Sequence, residues 1–129
     1  MTAIQQRVVA AAIRNGDHFL ICQRPSHKRH GGLWEFPGGK CEAGETDGQA
    51  ITREPAEELG VEVSAVGDAL FSASDPDSPF VIAFLPVEIR GEPACIEHAA
   101  LAWASRHEMT AYELAPTDAR FMNFLVLDE

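Results

Sequence analysis

The sequence predicts an α/β sandwich on a mixed sheet rather than a doubly wound one. Three observations carry this. Apolar, β-branched runs joined by a tight turn open the chain, two helix patterns lie far apart in it, and further strand-like runs fall between them. The chain has 129 residues, 46% of them apolar and 23% charged, which fits one globular domain over residues 1–129.

Ile4–Arg14 reads as a first strand. Asn15-Gly16 is a hairpin turn signal, and His18–Arg24 returns as a second strand. Pro25–Gly32 is a loop, and Leu33–Phe36 a short strand closed by Pro37-Gly38-Gly39. Thr46 to Gln49 has the form of a capping box, so a helix is expected from near Asp47 to a left-handed cap at Gly60. Strands are expected over Val61–Ser72, Phe80–Ile89 and Ala100–Ser105, the first two separated by the turn-rich SASDPDSP. Pro116 opens a C-terminal helix.

Composition narrows the function. A net charge of −10 repels nucleic-acid backbones, while a small phosphorylated ligand remains compatible if a divalent cation intervenes. No apolar run reaches membrane-spanning length, the N-terminus lacks a secretory pattern, and three cysteines at unrelated spacings imply no disulfide framework. A cytoplasmic protein is expected. GGKC is no P-loop, because Trp34 and Cys41 stand where glycine and a hydroxyl are needed. His27 and His30 lack a second pair for zinc, and no GxSxG elbow occurs.

Between Gly38 and Gly60 the chain packs six carboxylates: Glu42, Glu45, Asp47, Glu54, Glu57 and Glu58. Glu54, Glu57 and Glu58 share one helix face, where they repel one another unless a cation is bound. An all-oxygen set of this kind suits Mg²⁺ or Mn²⁺ rather than zinc. Without an ion the same residues would be a solvated acidic face. Arg53 is placed to reach back to Glu45. Pro55 falls on the apolar Ile51–Pro55–Leu59 stripe, but proline inside a helix costs about 3 kcal/mol, so a kink or widened turn beside Glu54 is expected.

The spacing from Gly39 through Glu45, Arg53-Glu54 and Glu57-Glu58 to Gly60 resembles the box of the Nudix hydrolases. LWEFPGGK, EHAALAW and LAPTDARF look like their MutT-type branch. The resemblance implies a Nudix-type α/β/α sandwich with a mixed, curved sheet, and Mg²⁺-dependent hydrolysis of a nucleoside triphosphate to monophosphate and pyrophosphate. The substrate it implies is 8-oxo-dGTP or another non-standard nucleotide, and the partner is a small molecule rather than a nucleic-acid polymer or a membrane. A monomer or homodimer is expected. Metal ligands would be Gly38 through its carbonyl, Glu54, Glu57, Glu58 and Glu97, the last of which also reads as an ordinary exposed loop acid. Glu54 or Glu97 would activate the water, with Glu57 and Arg53 completing the catalytic set.

Arg24 and Lys40 would meet the phosphates or sugar, and Asp118 would read the base. Either cation is also an ordinary surface charge, and Asp118 also suits a helix cap. Phe36, Trp34 and Phe80 are candidates to stack on a base, although aromatics at strand spacing are more often core. An ionised Asp118 accepts hydrogen bonds only, which favours donating edges: the cytosine amino group, or the ring N–H and amino group of guanine. The basic run His27-Lys28-Arg29-His30 reads as a solvated loop, with phosphate steering as the lesser alternative. Cytosine nucleotide hydrolysis, ADP-ribose hydrolysis signalled by Pro76, and a nucleotide-binding module of low activity remain as alternatives.

Overall fold

The computed structural model describes residues 6–74 and 78–127. Among these residues the order is β1 (Gln6–Asn15), β2 (His18–Gln23), β3 (Trp34–Glu35), β4 (Gly38–Lys40), α1 (Asp47–Leu59), β5 (Glu62–Val66), β6 (Phe71–Ala73), β7 (Phe80–Arg90), β8 (Ala100–Ser105), α2 (Arg106–Met109) and α3 (Pro116–Leu127). Pro76 and the first residues of the expected N-terminal strand lie outside the described residues.

The sheet is mixed. β1 runs parallel to β7 over its length, from Gln6 opposite Phe80 to Ile13 opposite Val87. Its other edge is shared: β4 pairs antiparallel with Val8–Ala10, and β2 pairs with Arg14 and Asn15. β2 then carries β8 and β3, while β7 carries β5 and β6, all antiparallel.

Alternation along β1 builds two cores on opposite faces of the sheet. Val9, Ala11 and Ile13 pack with Ala50, Ile51 and Leu59 of α1, whereas Ala10 and Ala12 pack with Phe121 and Leu125 of α3. The second core holds an aromatic cluster in which the Phe36, Phe84 and Phe121 ring centroids lie 4.3–5.9 Å apart. The expected α/β/α sandwich therefore forms because each face of a fully buried strand needs a helical cover. Among the described residues no helix is long and apolar enough to cross a membrane.

α1 starts where its capping box predicts, with reciprocal Thr46–Gln49 bonds, and stops at Gly60 with φ +68°. Pro55 is buried in the Ile51–Pro55–Leu59 stripe, and the α-helix runs continuously through it to Leu59. The widened turn expected there is absent as a break in the helix. The Ile51 carbonyl still lacks its i+4 partner, since proline has no N–H.

Three elements depart from expectation. Val61–Ser72 is two strands, β5 and β6, because Gly67 turns against Pro86 so closely that a Cβ would lie 2.7 Å from its ring. The chain shifts there from the C-terminal to the N-terminal half of β7. Gly38–Lys40 is strand β4 rather than only a turn. The short helix α2 follows Ser105, with a Ser105–Glu108 capping box.

Candidate active site

α1 lies against β4, and that junction builds the site. Gly38 pairs with Ala10 while its neighbour Gly39 pairs with Val9. The backbone exchanges Ala11 N–H to Pro37 C=O and Cys41 N–H to Arg7 C=O leave Gly38 at a position whose N–H and C=O face away from β1. The Gly38 N–H accordingly donates to Glu58 Oε1 at 3.0 Å. A side chain would collide at both glycines, with backbone at the first and with a carboxylate at the second. A Cβ on Gly38 would lie 1.9 Å from the Val9 carbonyl oxygen, and one on Gly39 would lie 2.4 Å from the Glu54 carboxyl carbon.

Arg53 holds this region together. Its Nε and Nη2 donate to the two Glu45 oxygens, each at 2.8 Å, and its Nη1 reaches Glu54 at 2.9 Å and Glu57 at 3.2 Å. Nη2 also meets the Lys40 carbonyl at 3.2 Å. The expected Arg53–Glu45 pair is thus formed, and the guanidinium together with the Glu42 N–H holds the Glu45 carboxyl down to about 2.

One cavity of about 430 Å³ gathers most of the expected site residues: Gly38, Glu54, Glu58 and Glu97 with Arg24, Lys40, Phe36 and Asp118. Arg53 and Glu57 are not on its wall; the Glu57 side chain is 55% exposed. Of the stacking candidates, Phe80 borders the cavity with Lys40 Nζ 4.9 Å from its centroid. Trp34 instead packs edge-on against Tyr112. The Phe36 ring is 2% exposed and belongs to the core cluster, so it meets the cavity only at its border.

The carboxylates are electrostatically frustrated. Burial pushes Glu58 up to about 8, and the charges of Glu54, Glu35 and Glu97 push the same way. Burial also raises Glu54, against the lowering effect of Arg53, with Glu57 and Glu97 adding to the rise. Among the described residues no three histidine, cysteine or acidic side chains form a finished metal cage. The donor chemistry nevertheless fits a hard divalent cation: the acidic groups on the wall are all oxygen donors, partly desolvated and mutually repelling.

Asp118 sits in the first turn of α3, where its Oδ1 accepts the Phe36 N–H at 2.9 Å. Burial pushes this carboxyl up to about 8, against the lowering effect of that N–H. The acceptor-only reading belongs to the ionised side chain, whereas a protonated carboxyl both donates and accepts.

Two residues were missed in the sequence. Glu35 takes Arg24 Nη1 on one oxygen at 2.9 Å and His98 Nε2 on the other at 3.0 Å. His98 Nε2 also lies 3.7 Å from Glu58 Oε2, and its side chain is 4% exposed, with Nδ1 buried and unpartnered. A chain of polar contacts thus runs from Arg24 to Glu58. Nothing local to either residue signals it, because its members are 63 positions apart.

Fold and cavity together fit a hydrolase that cleaves phosphoanhydrides. The NUDIX domain family model matches residues 4–125, and the chain belongs to that family. It is 41% identical over 114 residues to the CTP pyrophosphohydrolase of Escherichia coli K12, covering 86% of this chain and 84% of that protein. It is 32% identical over 125 residues to the 8-oxo-dGTP diphosphatase of Haemophilus influenzae, covering 93% and 90%. A structure from work on MutT of Aliivibrio salmonicida and Vibrio cholerae superposes with a TM-score of 0.85 at 30% identity, over 97% of this chain and 99% of that one. The protein is accordingly a Nudix hydrolase of the MutT type.

Proposed function

We propose that the protein hydrolyses a nucleoside triphosphate to the monophosphate and pyrophosphate with Mg²⁺, or Mn²⁺ in its place, as one domain over residues 1–129. The observation that carries this reading is the shared cavity. Glu54, Glu58 and Glu97 line it together with Arg24 and Lys40. Glu54, Glu57, Glu58, Glu97 and the Gly38 carbonyl would hold the ion, with Glu57 coming from the cavity rim. Bound there, the ion would offset phosphate charge and favour deprotonation of water.

The chain's own residues do the rest. Arg53 pins Glu45 and orients Glu54. Glu54, with its raised pKa and partial burial, suits the proton acceptor as water bonds to phosphorus and the anhydride P–O bond breaks; Glu97 is the second candidate. Arg24, held by Glu35, and Lys40 would meet phosphate or sugar oxygens, and Phe36 would hold Asp118 through its N–H.

A protonated Asp118 offers a donor beside an acceptor. That pattern suits the O6 and N7–H edge of 8-oxoguanine, and equally the N4 amino and N3 edge of cytosine. The first reading is 8-oxo-dGTP, and the identity to a CTP pyrophosphohydrolase favours CTP as the second. The partner is a small nucleotide, the compartment cytoplasmic, and the assembly a monomer or homodimer.

The test is release of pyrophosphate and monophosphate with Mg²⁺ from 8-oxo-dGTP, dGTP, CTP and ADP-ribose. Turnover of one triphosphate supports the reading and names the base. Binding without cleavage of any of them would make the protein a nucleotide-binding module.

A further inference from the structure

The carboxylate wall accounts for only part of the cavity. Lys28, Arg29 and His30 also line it, although the sequence reads this run as a solvated loop. Their backbone is not a loose tether. Within the loop Lys28 N–H bonds to Pro25 C=O, Gly31 N–H to Lys28 C=O, and Leu33 N–H to His30 C=O, at 2.9–3.1 Å. Arg24 Nε anchors it from outside, donating to the Arg29 carbonyl at 2.7 Å. His30 takes a left-handed φ of +59°, and a Cβ on Gly31 would lie 2.4 Å from the Ser26 carbonyl oxygen. The loop is folded on itself, and its three basic residues border the cavity.

Charge pairing separates these side chains from Arg24. Arg24 is committed to Glu35 and to the Arg29 carbonyl. Lys28 and Arg29 form no ion pair among the described residues, although the chain carries a net charge of −10. These two loop cations thus join Lys40, which likewise has no ion pair among the described residues, at the cavity that holds Glu54, Glu58 and Glu97. A cavity charged in this way is complementary to an extended polyanion whose scissile end needs a metal and whose far end does not.

We propose that Lys28 and Arg29, with His30, form a subsite for the terminal phosphate of the triphosphate chain and so select triphosphates over diphosphates capped at both ends. This rests on the triphosphatase reading above. A terminal phosphate presents three free oxygens and a second ionisable charge. A phosphate of ADP-ribose presents two free oxygens and one charge, so removal of the loop cations weakens a triphosphate more than a capped diphosphate.

The experiment compares the wild type with a Lys28→Gln/Arg29→Gln double variant. For the triphosphate, KM is expected to rise about tenfold, with kcat within about twofold and a flatter dependence of KM on salt. Any ADP-ribose turnover should show a clearly smaller rise in KM, and an equal rise for both substrates would overturn the selectivity. An unchanged triphosphate KM in the double variant, with turnover intact, would overturn the subsite. Calorimetry with Mg²⁺ and sodium tripolyphosphate reads the subsite without catalysis, and about tenfold weaker binding by the folded double variant is expected. Equal binding by both proteins, or none by the wild type, would overturn it as well. Tripolyphosphate binding that depends on the loop, in a protein that cleaves no triphosphate, would uphold the subsite and reject only the proposed function.

Discussion

At the scale of single residues the site depends on where a side chain is missing as much as on where one stands. Gly38 and Gly39 are neighbours with different obligations. A Cβ on Gly38 meets backbone, whereas one on Gly39 meets the mobile end of Glu54. Gly38→Ala is therefore expected to destabilise the fold strongly, by about 3 kcal/mol or more. Gly39→Ala should cost little stability and lower kcat at least about tenfold by displacing Glu54. Urea denaturation beside steady-state kinetics separates the two, and equal effects of both variants on stability would contradict the geometry.

Asp118 gives a pH prediction. Its folded pKa of about 8 lies above the ordinary aspartate value, so its contribution is full at acid pH and is lost as pH rises from about 4 to about 8. Glu58, also about 8, acts in the same direction from about 4 upward. Asp118→Asn keeps an acceptor for the Phe36 N–H and removes one of the two titrations. In EDTA, the urea midpoint of the wild type should fall between pH 5 and pH 8, and that of the variant should fall less. Identical slopes would mean that Asp118 ionises in the folded protein without penalty.

At the scale of elements, α1 carries both the carboxylates and the one residue at odds with a helix. The helix is continuous through Pro55, so packing of the Ile51–Pro55–Leu59 stripe overrides the missing hydrogen bond. Pro55→Leu restores the donor to Ile51, and stability should stay equal or rise, by up to about 3 kcal/mol. A clear loss in urea denaturation would show that the surrounding core is shaped around the ring. The limits of α1 were legible in the sequence because its capping box and its terminal glycine are local signals. The division into β5 and β6 was not, since it depends on how Gly67 meets Pro86. α2 carries a local signal of the same kind, the Ser105–Glu108 capping box.

At the scale of the whole molecule, most of the cavity was foreseeable because the acidic residues, the glycines and Arg53 keep fixed spacings around one helix. Glu35 and His98 were not, and the basic loop only as a lesser alternative, because each reaches the site only once β2, β3 and the segment before β8 come together. The repulsion among Glu54, Glu58 and Glu97 makes a global prediction. An ion that binds the folded site and not the unfolded chain should stabilise the protein by about 2.7 kcal/mol at a hundredfold excess over its dissociation constant. The thermal midpoint should therefore rise with Mg²⁺, and Glu58→Gln should blunt the rise. No Mg²⁺-dependent shift would argue against metal at this site.

The most direct measurement is product analysis of Mg²⁺-supported triphosphate hydrolysis by the wild type and Glu54→Gln. The expected result is monophosphate and pyrophosphate from the wild type, abolished by EDTA. The variant should be at least as stable, with kcat lower by about a hundredfold or more. Unchanged turnover in the variant, or orthophosphate as the released product, would contradict the assignment of this carboxylate cavity as the site of hydrolysis.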